Sequence, residues 1–124
     1  MNYTLVIHGG AGTIRAADTT PVQQEAYRAA LLAALAAGEA VLSLSGPALD
    51  AVEATVRCLE DCPLFNAGRG STFTAAGTIE MDAAVMDGAT GAAGAVASVS
   101  RIRNPITAAR AAWPASSIRT VRKR

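Results

Sequence analysis

Few residues in this sequence have the types and spacing that catalysis requires. His8 is the only histidine and directly follows an apolar stretch. That position favours a hydrogen-bonded structural role, because no single acidic partner stands out for a Ser–His–Asp or Cys–His arrangement. Glu80, Asp82 and Asp87 offer carboxylates. The first two share one face of a predicted strand, where a solvated face is a simpler interpretation than the acid/base pair of a glycosidase.

A glycine-rich turn and two cysteines complete the candidates. The turn at residues 8–12 fits the start of a GxGxxG motif, but Arg15 replaces the third glycine and no P-loop lysine follows. A backbone that approaches a ligand or another chain segment is therefore favoured over nucleotide binding. Cys58 and Cys62 are four residues apart, which is neither a redox CxxC spacing nor half of a zinc site. Both are predicted to be buried structural thiols.

The elements that position these residues begin with a strand and two helices. Residues 3–7 are apolar and predict a short buried strand. An N-cap threonine and a first-position proline predict a helix over residues 21–44. A second helix begins after the breaker at residues 45–47 and carries one apolar stripe. It ends at Cys62, because the residue before a proline disfavours helix.

The second half of the chain predicts strands and one further helix. Strands are predicted at residues 71–74, 78–86 and 94–99, with a turn at Asp87 and the following glycine. An Asn-Pro pair at Asn104 opens the last helix. The order of strand, two helices, antiparallel meander and helix predicts an α+β fold or a layered α/β/α arrangement.

Composition and charge limit the function classes. The chain has 124 residues, of which 51% are hydrophobic, and this fits one ordered domain. Residues 1–100 carry four basic and ten acidic side chains, whereas residues 101–124 carry seven basic and no acidic ones. A basic tail can bind nucleic acid, but an unstructured end is the simpler interpretation. No apolar run of about 18 residues and no signal-peptide pattern occurs, so a cytoplasmic protein without a membrane span is predicted.

Four sequence motifs carry a specific resemblance to a known family. Residues 59–70 (LEDCPLFNAGRG), 78–88 (TIEMDAAVMDG), 7–14 (IHGGAGTI) and 94–110 (GAVASVSRIRNPITAAR) closely resemble the plant-type L-asparaginase/isoaspartyl peptidase family. They occur in that family's order and at compatible spacing. The resemblance extends over residues 3–111.

The resemblance implies an N-terminal-nucleophile hydrolase with a four-layer αββα sandwich, made as a precursor that cuts itself into an α and a β chain. A threonine that begins the β chain would attack the side-chain amide of L-asparagine or the β-linked bond of an isoaspartyl dipeptide. Its own α-amino group would act as the base. This sequence corresponds to the α-chain portion. It is therefore expected to be incomplete without the β chain, to hold no catalytic residue, and to join an (αβ)2 assembly when complete.

The same resemblance assigns roles to residues of the glycine turn and of the loop after the second helix. Asn66 would point towards the active site, and Gly9 and Gly10 would lie near the nucleophile, where the absence of side chains leaves room. No cofactor is implied for catalysis. A structural sodium ion would be held by backbone carbonyl oxygens, in keeping with the preference of hard cations for oxygen. The carbonyl groups matched to that ion are those of Leu59, Glu60, Cys62, Phe65, Ala67 and Arg69.

The chain departs from the family pattern after residues 1–111, the predicted α-chain portion. A proline near the start of residues 112–124 interrupts the expected helix, and this divergent basic tail is expected to be disordered, from a frameshift or a mispredicted gene boundary. Thr120 and the valine after it resemble the start of a β chain by two letters, but no strand follows. The alternative function is a non-catalytic binding or regulatory protein that uses the basic tail.

Overall fold

The computed structural model describes residues 2–11 and 16–113. Short 3-10 turns occur at Ala16–Asp18 and Gly68–Gly70. The predicted basic tail lies outside the described residues from position 114 onward, as does Thr120. The described part is α+β, as predicted, and its main elements are α1 (Pro21–Ser43), α2 (Ala48–Asp61), β1 (Met81–Met86), β2 (Ala93–Val99) and α3 (Pro105–Ala111).

Helix α1 begins where its sequence predicts. The Thr20 hydroxyl oxygen accepts the Gln23 amide at 3.2 Å, and the Gln23 side chain accepts the Thr20 amide at 2.8 Å. This reciprocal capping box satisfies two backbone donors that the first turn leaves free. The helix ends near Ser45, whose positive φ of 61° turns the chain out of the helix. By length and composition alone, α1 could cross a membrane. Core helices of globular proteins and signal sequences share this length and composition.

Helices α1 and α2 are in close contact at Gly38. This glycine is buried and faces Thr55, which is 3% exposed and donates its hydroxyl to the Ala51 carbonyl at 2.8 Å. A Cβ atom at position 38 would overlap the Thr55 hydroxyl and lie 2.8 Å from a methyl group of Leu5. Gly38 is therefore required by the contact, since a helix interior otherwise favours alanine.

We expect Gly38→Ala to lower the free energy of unfolding by about 1–3 kcal/mol through overpacking. Alanine is a better helix former than glycine by about 1 kcal/mol. A decrease in the free energy of unfolding would therefore indicate overpacking, whereas an increase would indicate helix propensity. Urea unfolding of the chain measures it, with Ala36→Ser on the exposed face of α1 as a control that changes stability little. A Gly38→Ala variant as stable as the parent would show that the helices do not meet there.

The two strands form an antiparallel hairpin with one irregularity. The register pairs Ala84 with Ala95 and shifts between Met81 and Ala83. At the shift, Ser98 has a positive φ of 54°, and its amide donates to the Asp82 carboxylate at 2.7 Å. The carboxylate thus satisfies a backbone donor that a β-bulge removes from the ladder. The exposed Asp82 carboxylate therefore stabilises the backbone of the hairpin. This agrees with the prediction of a solvated strand face and not with an acid/base pair.

The hairpin loop is organised by Asp87, as its turn signal predicts. The carboxylate accepts the Thr90 hydroxyl at 2.7 Å and the Ala89 amide at 3.0 Å, while the Asp87 carbonyl accepts the Gly91 amide at 2.7 Å. The Thr90 hydroxyl, followed by the Ala89 amide, lowers the pKa of the Asp87 carboxyl, because both bonds favour the ionised form.

Asp87→Ala is expected to lower hairpin stability at neutral pH and to lose that effect in acid. Because the folded-state pKa of Asp87 is depressed, its contribution is present above the unfolded-state pKa and disappears as pH falls through the folded-state value. The difference between variant and parent should therefore shrink below about pH 4. Thermal unfolding of variant and parent at several pH values from 7 to 3 measures this difference. Glu39→Ala, at an exposed position of α1, is the control. A difference independent of pH would contradict the role of the ionised carboxylate.

The core lies where α3 packs on the hairpin. Its buried members are all apolar, and two half-buried residues of α2, Leu49 and Val56, pack against them. Burial of such side chains stabilises a fold by about 1.5–3 kcal/mol each. The buried members are Val85, Val96, Val99, Ile106 and Ala109.

Two predicted strands are wrong and a third is shorter than predicted. Residues 3–7 and 71–74 have no regular structure, because no neighbouring strand among the described residues pairs with them. Hydrogen bonds between Thr74 and Thr78 instead close a tight turn, so the strand predicted from residue 78 begins at Met81. Residues 3–7 lie beside α1 with Leu5 half-buried and Val6 81% exposed.

Candidate active-site cleft

A cleft of about 590 Å³ lies between the glycine turn and the loop after α2. It is lined by residues of two stretches, 8–11 and 59–72, and none of the described residues that line it is charged. Gly9, Gly10 and Asn66 all line this cleft. The structure therefore places together the three residues that the resemblance assigned to the substrate side.

Asn66 is oriented by a single neighbour, Thr72. The Asn66 side-chain oxygen accepts the Thr72 amide at 2.9 Å and the Thr72 hydroxyl at 3.3 Å. Since both acceptor positions of that oxygen are used, the Asn66 amide nitrogen keeps two donors for other partners. Asn66 is exposed in the cleft. The side chain is thus suited to donate to a carbonyl or carboxylate oxygen of a ligand.

The two glycines of the cleft wall are required for different reasons. A Cβ atom on Gly9 would lie 3.1 Å from both Leu31 of α1 and the ring of Phe65, so a side chain there would disturb close packing. Gly10 has a φ of 111°, a conformation that residues with a Cβ rarely adopt. His8 accepts the Gly10 amide at its Nδ1 atom at 3.1 Å, which agrees with the predicted hydrogen-bonded histidine.

The loop at residues 59–70, the carbonyl loop, folds back on its own backbone. Gly68 has a φ of 51°, and a Cβ atom there would overlap the Glu60 carbonyl group. A Cβ atom on Gly70 would overlap the Phe65 carbonyl oxygen and lie 2.8 Å from that of Pro63. The two glycines therefore make room for carbonyl oxygens from the earlier part of the loop.

The six carbonyl groups that the resemblance matched to a sodium ion all belong to the carbonyl loop. The carbonyls of Leu59, Phe65 and Ala67 accept one hydrogen bond each inside the loop, and each keeps a second lone pair. Within residues 2–11 and 16–113, no group of three or more His, Cys, Asp or Glu side chains could hold a metal. The carbonyl oxygens of residues 59–70 are donors of the kind that hard cations prefer. The exposed Arg69 side chain is not needed for that coordination.

Comparison with known proteins identifies the family. The family model described as asparaginase matches residues 1–119. The chain belongs to the asparaginase family. This membership confirms the resemblance drawn from the four motifs.

Several curated members of the asparaginase family are similar to this chain. A putative isoaspartyl peptidase/L-asparaginase of Dictyostelium discoideum is 52% identical over 107 residues, which cover 86% of this chain and 31% of that protein. An isoaspartyl peptidase of Escherichia coli is 52% identical over 106 residues, covering 86% of this chain and 33% of that protein. A plant-type L-asparaginase of Pyrococcus abyssi is 50% identical with the same coverage. The chain thus spans about a third of the length of these relatives.

One residue of this asparaginase-family chain has a side-chain role that the sequence did not predict. The Glu60 side chain is 3% exposed and accepts the Ile106 amide at 2.9 Å, which ties the carbonyl loop to the start of α3. Burial raises the pKa of the Glu60 carboxyl, against the hydrogen bond from the Ile106 amide that lowers it. Sequence reasoning had assigned a role only to its backbone carbonyl.

The remaining candidates in the family member are two cysteines and the basic residues near the C-terminus. Cys58 and Cys62 are free thiols that are half-buried, so the prediction that both are buried is wrong in extent. Two arginines from the basic C-terminal stretch form ion pairs with α2, Arg103 with Asp61 at 3.1 Å and Arg110 with Asp50 at 2.9 Å. Part of the positive charge of residues 101–124 is therefore matched by acidic residues of the same chain.

Proposed function

We propose that this chain supplies one side of the active site of an amidohydrolase that cleaves the side-chain amide of L-asparagine and β-aspartyl dipeptides. The observation that carries the proposal is the meeting of Gly9, Gly10 and Asn66 in one uncharged cleft. The printed names of the relatives, isoaspartyl peptidase and plant-type L-asparaginase, support the reaction class.

The chain's own residues would bind and orient the substrate. The Asn66 amide nitrogen would donate to a substrate oxygen, since Thr72 already occupies the side-chain oxygen. Gly9 and Gly10 would leave room beside the reacting bond, where a side chain would intrude. A threonine nucleophile and its α-amino base would come from a β chain in the remaining two thirds of the family protein. That β chain would also complete the four-layer sandwich and the (αβ)2 assembly, and we place the enzyme in the cytoplasm.

The carbonyl loop would have a supporting role in this enzyme. Its backbone carbonyls, at the six positions from Leu59 to Arg69 named above, would hold a structural sodium ion. The ion would neutralise the converging carbonyl dipoles and so keep the loop in shape. The loop in turn holds Asn66 and Thr72 at the cleft. The reaction itself would need no cofactor.

A chimaera tests the proposal. Residues 1–111 of this chain replace the matching segment of the Escherichia coli isoaspartyl peptidase, and ammonia release from L-asparagine is measured. We expect the chimaera to release ammonia from L-asparagine. The unmodified Escherichia coli enzyme is the positive control. A folded chimaera that releases no ammonia from asparagine and no amino acid from β-aspartyl dipeptides would reject the proposed function.

A further inference from the structure

The first turn of α3 takes its cap from α2. Pro105 has no amide hydrogen, and the Thr107 amide donates to the Asn104 carbonyl at 3.1 Å. The Asn104 side chain is directed elsewhere, because its amide nitrogen donates to Asp61 at 3.2 Å. The Ile106 amide is therefore the donor of this turn that needs an acceptor from another part of the chain.

Glu60 provides that acceptor. Its Oε1 atom accepts the Ile106 amide at 2.9 Å, although the two residues are 46 positions apart. Both are almost fully buried, Glu60 with 3% and Ile106 with 2% of its surface exposed. Burial of a carboxylate is costly unless it is hydrogen-bonded, so this bond offsets part of the cost of an acid here. Because Ile106 belongs to the core, the bond joins Glu60 to that core.

The same residue supports the carbonyl loop. A Cβ atom on Gly68 would overlap the Glu60 carbonyl group and lie 2.7 Å from the Glu60 Cβ atom, so Gly68 packs directly on Glu60. Asn66 and Thr72 lie on either side of the turn Gly68–Gly70, and the Thr72 amide donates to the Asn66 side chain across it at 2.9 Å. A path of contacts thus runs from the core through Glu60 and Gly68 to the cleft.

We propose that Glu60 is a positioning residue, whose side chain binds the first turn of α3 and thereby fixes the part of the carbonyl loop that orients Asn66. The inference rests on the proposed function, which gives Asn66 its substrate. Glu60 acts through Gly68 and Asn66 and takes no part in bond making. Its carboxylate makes this tie, which is separate from the carbonyl groups that the proposed function assigns to sodium.

Three variants of the chimaera separate the acceptor from the volume of the side chain. Glu60→Gln keeps an Oε1 acceptor, whereas Glu60→Met removes it at similar volume. Glu53→Met is the matched control, because Glu53 accepts the Thr107 hydroxyl at 2.8 Å and so joins α2 to α3 away from the loop. We expect kcat/KM of Glu60→Met to fall about tenfold, the effect of losing one net hydrogen bond. Glu60→Gln and Glu53→Met should stay within about threefold of the parent.

Equal losses in Glu60→Met and Glu60→Gln, no loss in either, or an equal loss in Glu53→Met would overturn the proposal. If Glu60→Met does not fold, Glu60→Asp takes its place in every comparison, because its side chain is one methylene shorter and withdraws the acceptor from Ile106. The loss should persist when sodium chloride replaces potassium chloride at constant ionic strength. A loss that sodium abolishes would show that the substitution acts through the ion, which would also overturn the proposal.

A double-mutant cycle distinguishes positioning from a general loss of stability. Because Glu60 acts through Asn66, Glu60→Met should lower kcat/KM by less than about twofold in the Asn66→Ala background, since coupled residues are not additive. If the losses of the two single variants multiply in full, Glu60 does not act through Asn66.

Hydrogen exchange of the Thr72 amide provides a readout independent of turnover. This amide is bonded to the Asn66 side chain, and it should exchange several-fold faster in Glu60→Met than in Glu60→Gln or Glu53→Met. A parental chimaera without activity would reject the proposed function, while the exchange pattern would still decide the role of Glu60. Identical exchange of Thr72 in all these proteins would show that Glu60 does not hold the loop.

Discussion

Gly70→Ala is expected to lower the free energy of unfolding by about 3 kcal/mol, the upper range for overpacking. An added Cβ atom would overlap the Phe65 carbonyl oxygen and lie 2.8 Å from that of Pro63. Both obstacles are backbone atoms, which cannot rotate away as the end of a side chain can. Gly70 has no positive φ, so the loss would come from the contact and not from backbone strain.

Gly88→Ala is the matched control, because a Cβ atom there meets no atom within 4 Å and its φ is not positive. It should leave stability unchanged or raise it by a few tenths to about 1 kcal/mol. Urea unfolding of both variants measures the difference. If Gly70→Ala unfolds at the same urea concentration as Gly88→Ala, the carbonyls of the loop do not converge as described.

Asn66→Ala is expected to lower kcat/KM of the chimaera by about 10–100-fold, the effect of losing one hydrogen bond to a charged oxygen of the substrate. The reason is that the Asn66 amide nitrogen is the side-chain donor left free by the contact with Thr72. Asn66→Asp should be equally impaired, since it keeps the oxygen for Thr72 and replaces the donor with negative charge.

Thr72→Val is the graded comparison for Asn66. It removes the hydroxyl contact of 3.3 Å but keeps the amide contact of 2.9 Å, so the loss in kcat/KM should be only a few-fold. Initial rates with L-asparagine and with a β-aspartyl dipeptide give kcat/KM of each variant on each substrate. An Asn66→Ala variant that retains more than about a third of parental kcat/KM would exclude Asn66 from the substrate side.

Local signals in the sequence predicted the helices and the hairpin well. The capping residues of α1 and the turn at Asp87 each act over a few residues, and the structure confirms both. Residues 3–7 failed as a strand for the opposite reason. A strand requires a partner, and their apolar pattern carries no information about whether one is present. The predicted apolar stripe of α2 is wrong in part, because Val52 is 39% exposed and the buried residues of this helix are Ala51, Thr55 and Glu60.

The site was predictable only in part. No spacing rule brings Gly10 and Asn66 together, so their shared cleft came from the resemblance and not from periodicity. The Glu60 side chain was missed, although a signal existed. Glu60 and Asp61 lie at the C-terminal end of α2, where negative charge opposes the helix dipole. Both have tertiary partners, Glu60 at the Ile106 amide and Asp61 at Arg103, and acids in that position merit a search for such partners.

The most direct measurement compares amino-acid release from a β-aspartyl dipeptide by the chimaera and by the 124-residue chain under identical conditions. We predict hydrolysis by the chimaera and none by the chain, because in the proposed function the cleft residues of stretches 8–11 and 59–72 would bind and orient the substrate while the nucleophile would come from the rest of the family protein. A folded chimaera without hydrolysis, or a chain that hydrolyses the dipeptide as fast as the chimaera, would contradict this division of the active site.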